Sequence, residues 1–109
     1  MEQGRVNADP YPPLDAYGLI GDLRSAALVS VQGSIDWLCL PRFDSPSVFG
    51  RVLDWGRGGC FAIAPSAAAA ATHAYRTHSN VLETVWTVER SQARVVDFMP
   101  LAAACGWCA

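Results

Sequence analysis

The most recognisable chemical motif in the sequence is Cys105-Gly-Trp-Cys108, whose CxxC spacing occurs in redox proteins and in zinc half-sites. A redox site of this kind places the motif before a helix that stabilises the thiolate, and only Ala109 follows here. A tetrahedral zinc site needs two more ligands, which Cys39 and Cys60 do not supply as a matching pair. The sequence therefore predicts reduced cysteines, an inert CxxC pair, and neither a metal nor another cofactor.

Histidine, serine and glycine form no familiar catalytic pattern. His73 and His78 stand five residues apart, which differs from the i, i+4 spacing of a helical metal pair, and they are expected to be solvated loop residues. No Gly-x-Ser-x-Gly elbow is present to hold a nucleophilic serine. The glycines of residues 18–21 and 56–59 lack the spacing of a phosphate cradle and predict backbone hinges.

Side chains suited to sugar binding are concentrated around one loop. Trp37, Arg42, Phe43 and Asp44 lie there, with Asp36 beside them. Polyhydroxyl ligands are gripped by planar aromatic faces and by charged groups that form paired hydrogen bonds. A second interpretation needs no ligand, because Trp37 in an apolar strand would belong to a core and Arg42 with Asp44 could be an ion pair that fixes the loop.

Short strands separated by Gly and Pro must position this loop. Residues 25–31 and 34–40 predict a hairpin with a tight turn at Gly33. Residues 80–89 and 93–101 are rich in β-branched and aromatic side chains and predict a second hairpin. This order favours a mostly β protein, with an antiparallel sandwich rather than βαβ units.

The connecting segments have their own signals. Residues 1–14 are polar and Pro-rich and predict a flexible arm. Ser45-Pro46 has the form of a helix N-cap followed by a first-turn proline, so a short helix is predicted over residues 48–53. The alanine run at 67–71 predicts a surface connection, and residues 60–64 predict a further strand.

Alternation along residues 34–40 predicts which side chains share a face of that strand. Trp37 is expected on the face of Ile35, with Asp36 and Leu38 on the other. Both faces are then partly apolar, so the strand is expected to be covered on both sides.

Composition excludes several classes of protein. The 109 residues carry a net charge of −2 and a sequence pI near 5.5, and their basic residues form no run, so a nucleic-acid partner is not expected. No apolar stretch is long enough to span a bilayer, and the acids and prolines at the N-terminus differ from a secretory signal. The sequence therefore predicts a single cytoplasmic domain with no membrane partner.

A long series of residues is distinctive and resembles one family. It comprises Tyr17-Gly-Leu-Ile-Gly-Asp22, Ala27-Leu-Val29, Gly33-Ser-Ile-Asp-Trp-Leu-Cys-Leu-Pro-Arg-Phe-Asp-Ser-Pro-Ser-Val-Phe49, Asn80-Val-Leu-Glu-Thr84 and Val96-Asp-Phe-Met-Pro-Leu101. Over residues 15–101 the chain resembles the N-terminal domain of bacterial trehalase-like and glucoamylase-like enzymes of glycoside hydrolase family 15.

The resemblance implies a β-sandwich that packs in cis against a separate α/α toroid, the catalytic domain. Such enzymes hydrolyse α-glucosides with inversion, using an acid and a base carboxylate about 6.5–9.5 Å apart. Those glutamates belong to the toroid, and none of Glu2, Glu83 or Glu89 corresponds to them. No catalytic residue is therefore expected in this chain.

The resemblance stops after Leu101, where the family continues with further strands and this sequence gives Ala-Ala-Ala-Cys-Gly-Trp-Cys-Ala. Three parts are predicted: a flexible arm at 1–14, an incomplete trehalase-like sandwich at 15–101, and a non-family tail at 102–109 left by truncation or a shifted frame. Open edges at strands 80–89 and 93–101 are expected to favour aggregation.

The sequence thus predicts a partial antiparallel β-sandwich with one short helix, the non-catalytic N-terminal portion of a hydrolase acting on trehalose or maltodextrin. The substrate-proximal candidates are Trp37, Arg42 and Asp44. The main alternative is a stand-alone carbohydrate- or protein-binding β module. The remaining alternative is a redox or metal-binding protein that uses the CxxC motif.

Overall fold

Antiparallel strands dominate the computed structural model, which describes residues 11–66 and 69–101. The strands are β1 (Tyr17–Gly21), β2 (Ala26–Ser30), β3 (Ser34–Cys39), β4 (Ser47–Phe49), β5 (Phe61–Ala62), β6 (Ala70–Tyr75), β7 (Leu82–Val88) and β8 (Ser91–Asp97). One sheet, sheet A, has the order β1-β2-β3-β4 with β5 also paired to β3, and sheet B has the order β6-β7-β8. The predicted mostly β sandwich is confirmed.

Both predicted hairpins are present. β2 and β3 pair across the turn at Gln32 and Gly33, and β7 and β8 pair from Leu82 opposite Asp97 to Val88 opposite Ser91. The last two residues of the alanine run, Ala70 and Ala71, begin β6, which pairs with β7 on its other side, so the predicted surface connection is wrong there; residues 67 and 68 lie outside the described residues. Strand β7 is therefore the centre of sheet B, and the prediction of an open edge there is wrong, whereas β8 is an edge as expected.

The predicted helix over residues 48–53 is wrong. Residues 47–49 form β4 against the end of β3, and residues 51–53 form a turn. The amides of Gly50 and Arg51 donate to the carbonyls of Gly58 and Gly59, at 2.8 and 3.1 Å. A helix of only two turns is marginally stable, because helix nucleation is costly in free energy. Hydrogen bonding of this segment to neighbouring backbone is therefore favoured over the helix.

Helical structure is scarce in the part of the chain that the structure describes. A 3-10 turn at Leu14–Ala16 is the one helical element there. No helix among those residues has the length and hydropathy needed to cross a membrane.

A β-bulge changes the faces of β3 from those predicted. Ile35 lies opposite Val29, and Trp37 lies opposite Leu28, so two steps on β3 match one step on β2. Asp36 is the extra residue, and it shifts the alternation by one. Ile35 and Trp37 therefore point to opposite faces of sheet A, which corrects the prediction that they share one.

The core lies between the two sheets. Its buried cluster consists of Ile20, Ala27, Val29 and Leu82, with Ile35, Leu38 and Met99 packed around it. Gly18 lets the sheets approach closely, since a Cβ there would lie 2.8 Å from the Leu82 side chain. Leu82 of β7 thus packs directly on β1 and β2.

The prediction of two loop histidines is half right. His78 is exposed in the turn between β6 and β7. His73 is instead half-buried in β6, opposite Thr84 of β7, because that strand extends from residue 70 to residue 75. Its Nδ1 has no hydrogen-bond partner among the described residues.

Asp97 gives an expected pH dependence of stability. It lies opposite Leu82 in the register of sheet B, and burial raises the pKa of its carboxyl above the ordinary value. The folded state then disfavours the ionised form, so its contribution to stability is full below the unfolded pKa and lost as the pH rises through the folded pKa. We expect Asp97→Asn to raise the melting temperature at pH 7.

The gain in melting temperature from Asp97→Asn should disappear near pH 3, where the Asp97 carboxyl is protonated in both the folded and the unfolded protein. Thermal unfolding of both proteins across that range measures it. Asp15→Asn, at an exposed position, is the control. A gain of equal size at both pH values would contradict this origin.

Candidate functional site

Two loops at one end of sheet A enclose a surface depression of about 500 Å³. One is the β1–β2 turn, and the other connects β3 to β4. The described residues that line the depression are Leu23, Arg24, Arg42, Phe43 and Asp44. Two of the candidates from the sequence, Arg42 and Asp44, therefore lie together.

The β1–β2 turn is held by one carboxylate. Asp22 Oδ1 accepts hydrogen bonds from the amides of Arg24 and Ser25, each at 2.9 Å. These bonds stabilise the charged form and lower the pKa of Asp22. The Ser25 hydroxyl also donates to the carbonyl of Cys39, which fastens the turn to the end of β3.

Leu23 occupies a strained position at the tip of this turn. Its φ of 73° lies in the left-handed region, which costs a bulky L-residue about 1–2 kcal/mol. The residue is nevertheless 87% exposed, so burial does not offset the strain. The turn therefore displays an apolar side chain at a cost to the stability of the isolated domain.

The second loop is closed by its own backbone and joined to the first. The Arg42 amide donates to Ser45 Oγ at 3.1 Å, and the Ser45 amide donates to the Arg42 carbonyl at 3.1 Å. The Phe43 amide donates to the Arg24 carbonyl at 2.9 Å. Ser45 thus closes a turn rather than capping a helix, and the two loops form one braced unit.

Arg42 and Asp44 do not form the loop-fixing ion pair that was one interpretation of the sequence. The ion pairs among the described residues join other side chains. Both charged groups are exposed at the depression beside Phe43, a residue that is 62% exposed. The loop keeps its shape without them, so these groups are available to a ligand or a protein partner.

Asp36 is buried and its carboxylate stabilises the local structure of β3. It is 1% exposed, accepts from the Tyr17 hydroxyl at 2.6 Å through Oδ2, and accepts from Ser34 Oγ at 2.5 Å through Oδ1. Burial first, and then this bond, raise the pKa of Tyr17, which therefore remains a donor. Asp36 fixes the bulge that sets the direction of Trp37.

Trp37 lies apart from the depression. It is half-buried in β3, and its pairing with Leu28 places it on the face of sheet A that turns away from Leu82. It is not among the residues that line the depression. Arg24 and Leu23 do line it, and sequence reasoning missed them because it treated residues 18–21 as a hinge rather than as the strand β1.

The described cysteines are free thiols in separate places. Cys39 is buried at the end of β3, whereas Cys60 is half-buried and its Sγ accepts from Arg51 Nη1 at 3.0 Å. No group of three or more His, Cys, Asp or Glu side chains in residues 11–66 and 69–101 could hold a metal ion. The Cys105–Cys108 motif lies outside the described residues.

Comparison with known sequences identifies relatives. The family described as "Trehalase-like, N-terminal" matches residues 5–107. That range starts earlier than the predicted domain at residue 15 and extends beyond Leu101 into the predicted tail. No solved structure matches the chain.

Several curated relatives are trehalases. The chain is 44% identical over 84 residues to the trehalase of Mycolicibacterium smegmatis, which covers 76% of this chain and 12% of that protein. It is 40% identical over 98 residues to the trehalase of Thermoplasma volcanium, covering 87% of this chain and 16% of that protein. Trehalase 1 of Sulfolobus acidocaldarius is 43% identical over 84 residues, or 77% of this chain and 15% of that protein.

The chain therefore spans less than a fifth of the length of these relatives. The sandwich described above, with its braced loops, corresponds to the part that the family match covers. Because that match includes nearly every residue, the chain belongs to the family of trehalase-like N-terminal domains.

Proposed function

We propose that this chain is the non-catalytic N-terminal β-sandwich of a glycoside hydrolase that cleaves α-glucosidic bonds of trehalose or maltodextrin type. The family match over residues 5–107, with trehalases as relatives, carries this proposal. An α/α toroid in the same polypeptide would supply the inverting hydrolysis.

The carboxylates of the site support a non-catalytic role. An inverting glycosidase needs an acid and a base carboxylate about 6.5–9.5 Å apart, with a water between them and the sugar. Asp44 is the single carboxylate among the described residues that line the depression, and Asp36, in the strand before this loop, is buried and accepts hydrogen bonds from Tyr17 and Ser34. The depression by itself lacks the pair that the reaction requires.

We further propose that the loop at 41–47 borders the sugar site of the complete enzyme. Arg42 and Asp44 can form charge-assisted hydrogen bonds to hydroxyl groups, and the Phe43 ring offers an apolar face. Arg24 adds a second guanidinium to the same depression. Trp37 is the third candidate from the sequence. It lies in the strand before this loop and does not line the depression, so its contribution is tested by a separate substitution.

The test uses the full-length Mycolicibacterium smegmatis trehalase with its matched 84-residue segment replaced by the residues of this chain that align with it. Arg42→Ala and Asp44→Ala are each expected to lower kcat/KM for the α-glucoside about tenfold, the loss of roughly 1.4 kcal/mol of transition-state binding. The melting temperature should stay unchanged, since neither side chain braces the loop. Steady-state kinetics and thermal unfolding measure both quantities.

Arg57→Ala is the matched control, because the Arg57 side chain is highly exposed and lies in a different turn. Unchanged turnover, KM and stability in both loop variants would remove the loop from the sugar site. Trp37→Ala reports on the third candidate in the same assay, provided that its melting temperature is compared as well.

The binding module is the second candidate function, and the depression favours it because this chain alone builds it. Calorimetric titration of the 109-residue protein with trehalose and with maltotriose separates the two candidates. Saturable binding that Arg42→Ala abolishes, with no activity in the exchanged trehalase, would indicate a module. Activity in the exchanged trehalase without binding to the isolated chain indicates the hydrolase domain.

A further inference from the structure

Three buried polar atoms of sheet B have no hydrogen-bond partner among the described residues. They are His73 Nδ1, Thr84 Oγ1 and Trp86 Nε1. Thr84 is 0% exposed and Trp86 is 3% exposed, whereas His73 is half-buried. A buried polar group without a partner is destabilising, so such groups in folded proteins usually bond to protein or to ordered water. The depression at the end of sheet A uses none of these three side chains.

The three side chains lie on the same face of sheet B. Thr84 and Trp86 follow the core residue Leu82 at two and four positions along β7, so they face sheet A as Leu82 does. His73 of β6 lies directly opposite Thr84. Opposed side chains in an antiparallel pair have Cβ atoms about 4.5–5.5 Å apart, and the next pair on that face is about 7 Å along the strand. The three polar groups are therefore neighbours between the sheets.

We infer that His73, Thr84 and Trp86 form a binding site for one ordered water molecule between the two sheets. A buried water typically makes about three hydrogen bonds to groups that the protein leaves unpaired. Three such atoms on one face match that number. The site is independent of the proposed function, because it needs neither a sugar nor a second domain.

The donors and acceptors of the three groups complement those of a water molecule. The indole Nε1 can only donate, so the water accepts a hydrogen bond from Trp86. The two water hydrogens then donate to Thr84 Oγ1 and to His73 Nδ1, with the proton of the neutral imidazole on Nε2. All three unpaired atoms gain a partner in this arrangement.

The same groups favour a neutral ligand over an ion. An indole N–H has no lone pair to offer, so Trp86 cannot ligate a cation. A buried anion needs a compensating positive charge. The inner face of sheet B instead carries Asp97, opposite Leu82, whose carboxylate would repel an anion. A water molecule needs no compensating charge.

The water links sheet B to the hairpin turn of sheet A through the Trp86 ring. Trp86 Cζ2 is two bonds from Nε1, and a Cβ at Gly33 would lie 3.1 Å from it. The turn at Gly33 therefore packs on the edge of the indole that carries the polar atom. A hydrogen bond at Nε1 fixes the orientation of the ring on which this turn rests, and the burial of that atom shields the water from bulk solvent.

NMR measurement of magnetisation transfer from water to the 109-residue protein tests the site. We expect transfer to the indole Hε1 of Trp86 and to the methyl protons of Thr84, with the sign of a long-lived bound water. Rotating-frame spectra separate this transfer from proton exchange, because the two effects have opposite signs. The absence of transfer to both groups in the native protein would overturn the inference.

Thr84→Val is the most informative variant, because the sign of its effect on stability depends on the water. With water bound, loss of the hydroxyl removes one hydrogen bond and should lower the melting temperature by about 4 °C. Transfer from water to Trp86 Hε1 should fall several-fold. Without water, replacing an unpaired buried hydroxyl with a methyl group should raise the melting temperature instead.

Thr87→Val is the matched control, because Thr87 is exposed on the same strand. It should leave the transfer to Trp86 unchanged. Thr84→Ser keeps the hydroxyl and should keep the transfer, even where loss of the methyl group lowers stability, so it decides the question if Thr84→Val does not fold.

Two further results would overturn the inference: a Thr84→Val protein at least as stable as Thr87→Val, or loss of the transfer in folded Thr84→Ser. Chloride titration tests the remaining occupant. A melting temperature that rises with chloride in the native protein but not in Thr84→Val would make an anion the ligand, and would also overturn the inference.

Discussion

Replacing Leu82 with alanine is expected to lower the free energy of unfolding by about 3–4 kcal/mol. Leu82 is 1% exposed and belongs to the buried cluster between the sheets, with its side chain directly over Gly18. The substitution removes buried hydrocarbon and leaves a cavity between two rigid sheets that cannot close it. A domain of this size has few other core residues to compensate.

Urea and thermal unfolding of the 109-residue protein measure this change. A loss of this size lowers the melting temperature by about 4–8 °C for each kcal/mol. Leu53→Ala is the matched control, because it deletes the same atoms from an exposed turn and should change stability by less than about 0.5 kcal/mol. Equal effects of the two substitutions would mean that the sheets do not pack on Leu82 in solution.

Gly33→Ala is the second large expected effect, a loss of about 3 kcal/mol from strain and overpacking together. Gly33 turns the chain between β2 and β3 with a φ of 84°. A Cβ at this position would meet the Ile63 carbonyl and lie 3.1 Å from the Trp86 ring. The Gly33 carbonyl also accepts from the Ile63 amide at 3.1 Å, so the clash cannot be relieved without loosening this bond.

Gly56→Ala provides the control for Gly33→Ala. A Cβ at Gly56 would meet only Asp54 Oδ1, at 3.8 Å, which is an ordinary contact. Its stability should stay within about 0.5 kcal/mol of the native protein, as for most surface substitutions. Trp86 fluorescence during unfolding reports on the contact with the turn, although four tryptophans contribute to the signal. A native-like Gly33→Ala protein would show that the turn is not held against sheet B.

The strands were predictable because their signals are local. β7 carries alternating β-branched and aromatic residues, and the turn at Gly33 needs a residue that tolerates positive φ. The helix predicted at 48–53 was wrong although its signal, the cap-like Ser45-Pro46, is also local. Backbone pairing with β3 and with residues 58–59 outweighs that helix signal. A helix-capping motif carries no information about backbone pairing between distant segments.

The chemical types of the residues at the candidate site were predictable from the sequence, but only some of the residues that line it were. Arg42 and Asp44 stand in one short loop, so their proximity follows from the sequence. Arg24 is 18 positions away from Arg42 and reaches the same depression because the Phe43 amide bonds to its carbonyl. Nothing in either segment alone indicates that bond.

The sequence by itself determined the strand-rich class, the family resemblance and a loop of residue types suited to binding sugars, since propensity, turn chemistry and residue identity are properties of short segments. Tertiary structure alone decided the faces of β3 and the lining of the site. One bulge at Asp36 moves Trp37 to the far face of its sheet, and the bond from the Phe43 amide to the Arg24 carbonyl brings Phe43 beside the exposed Leu23. Faces and neighbours depend on register and on contacts between distant segments, which local patterns do not specify.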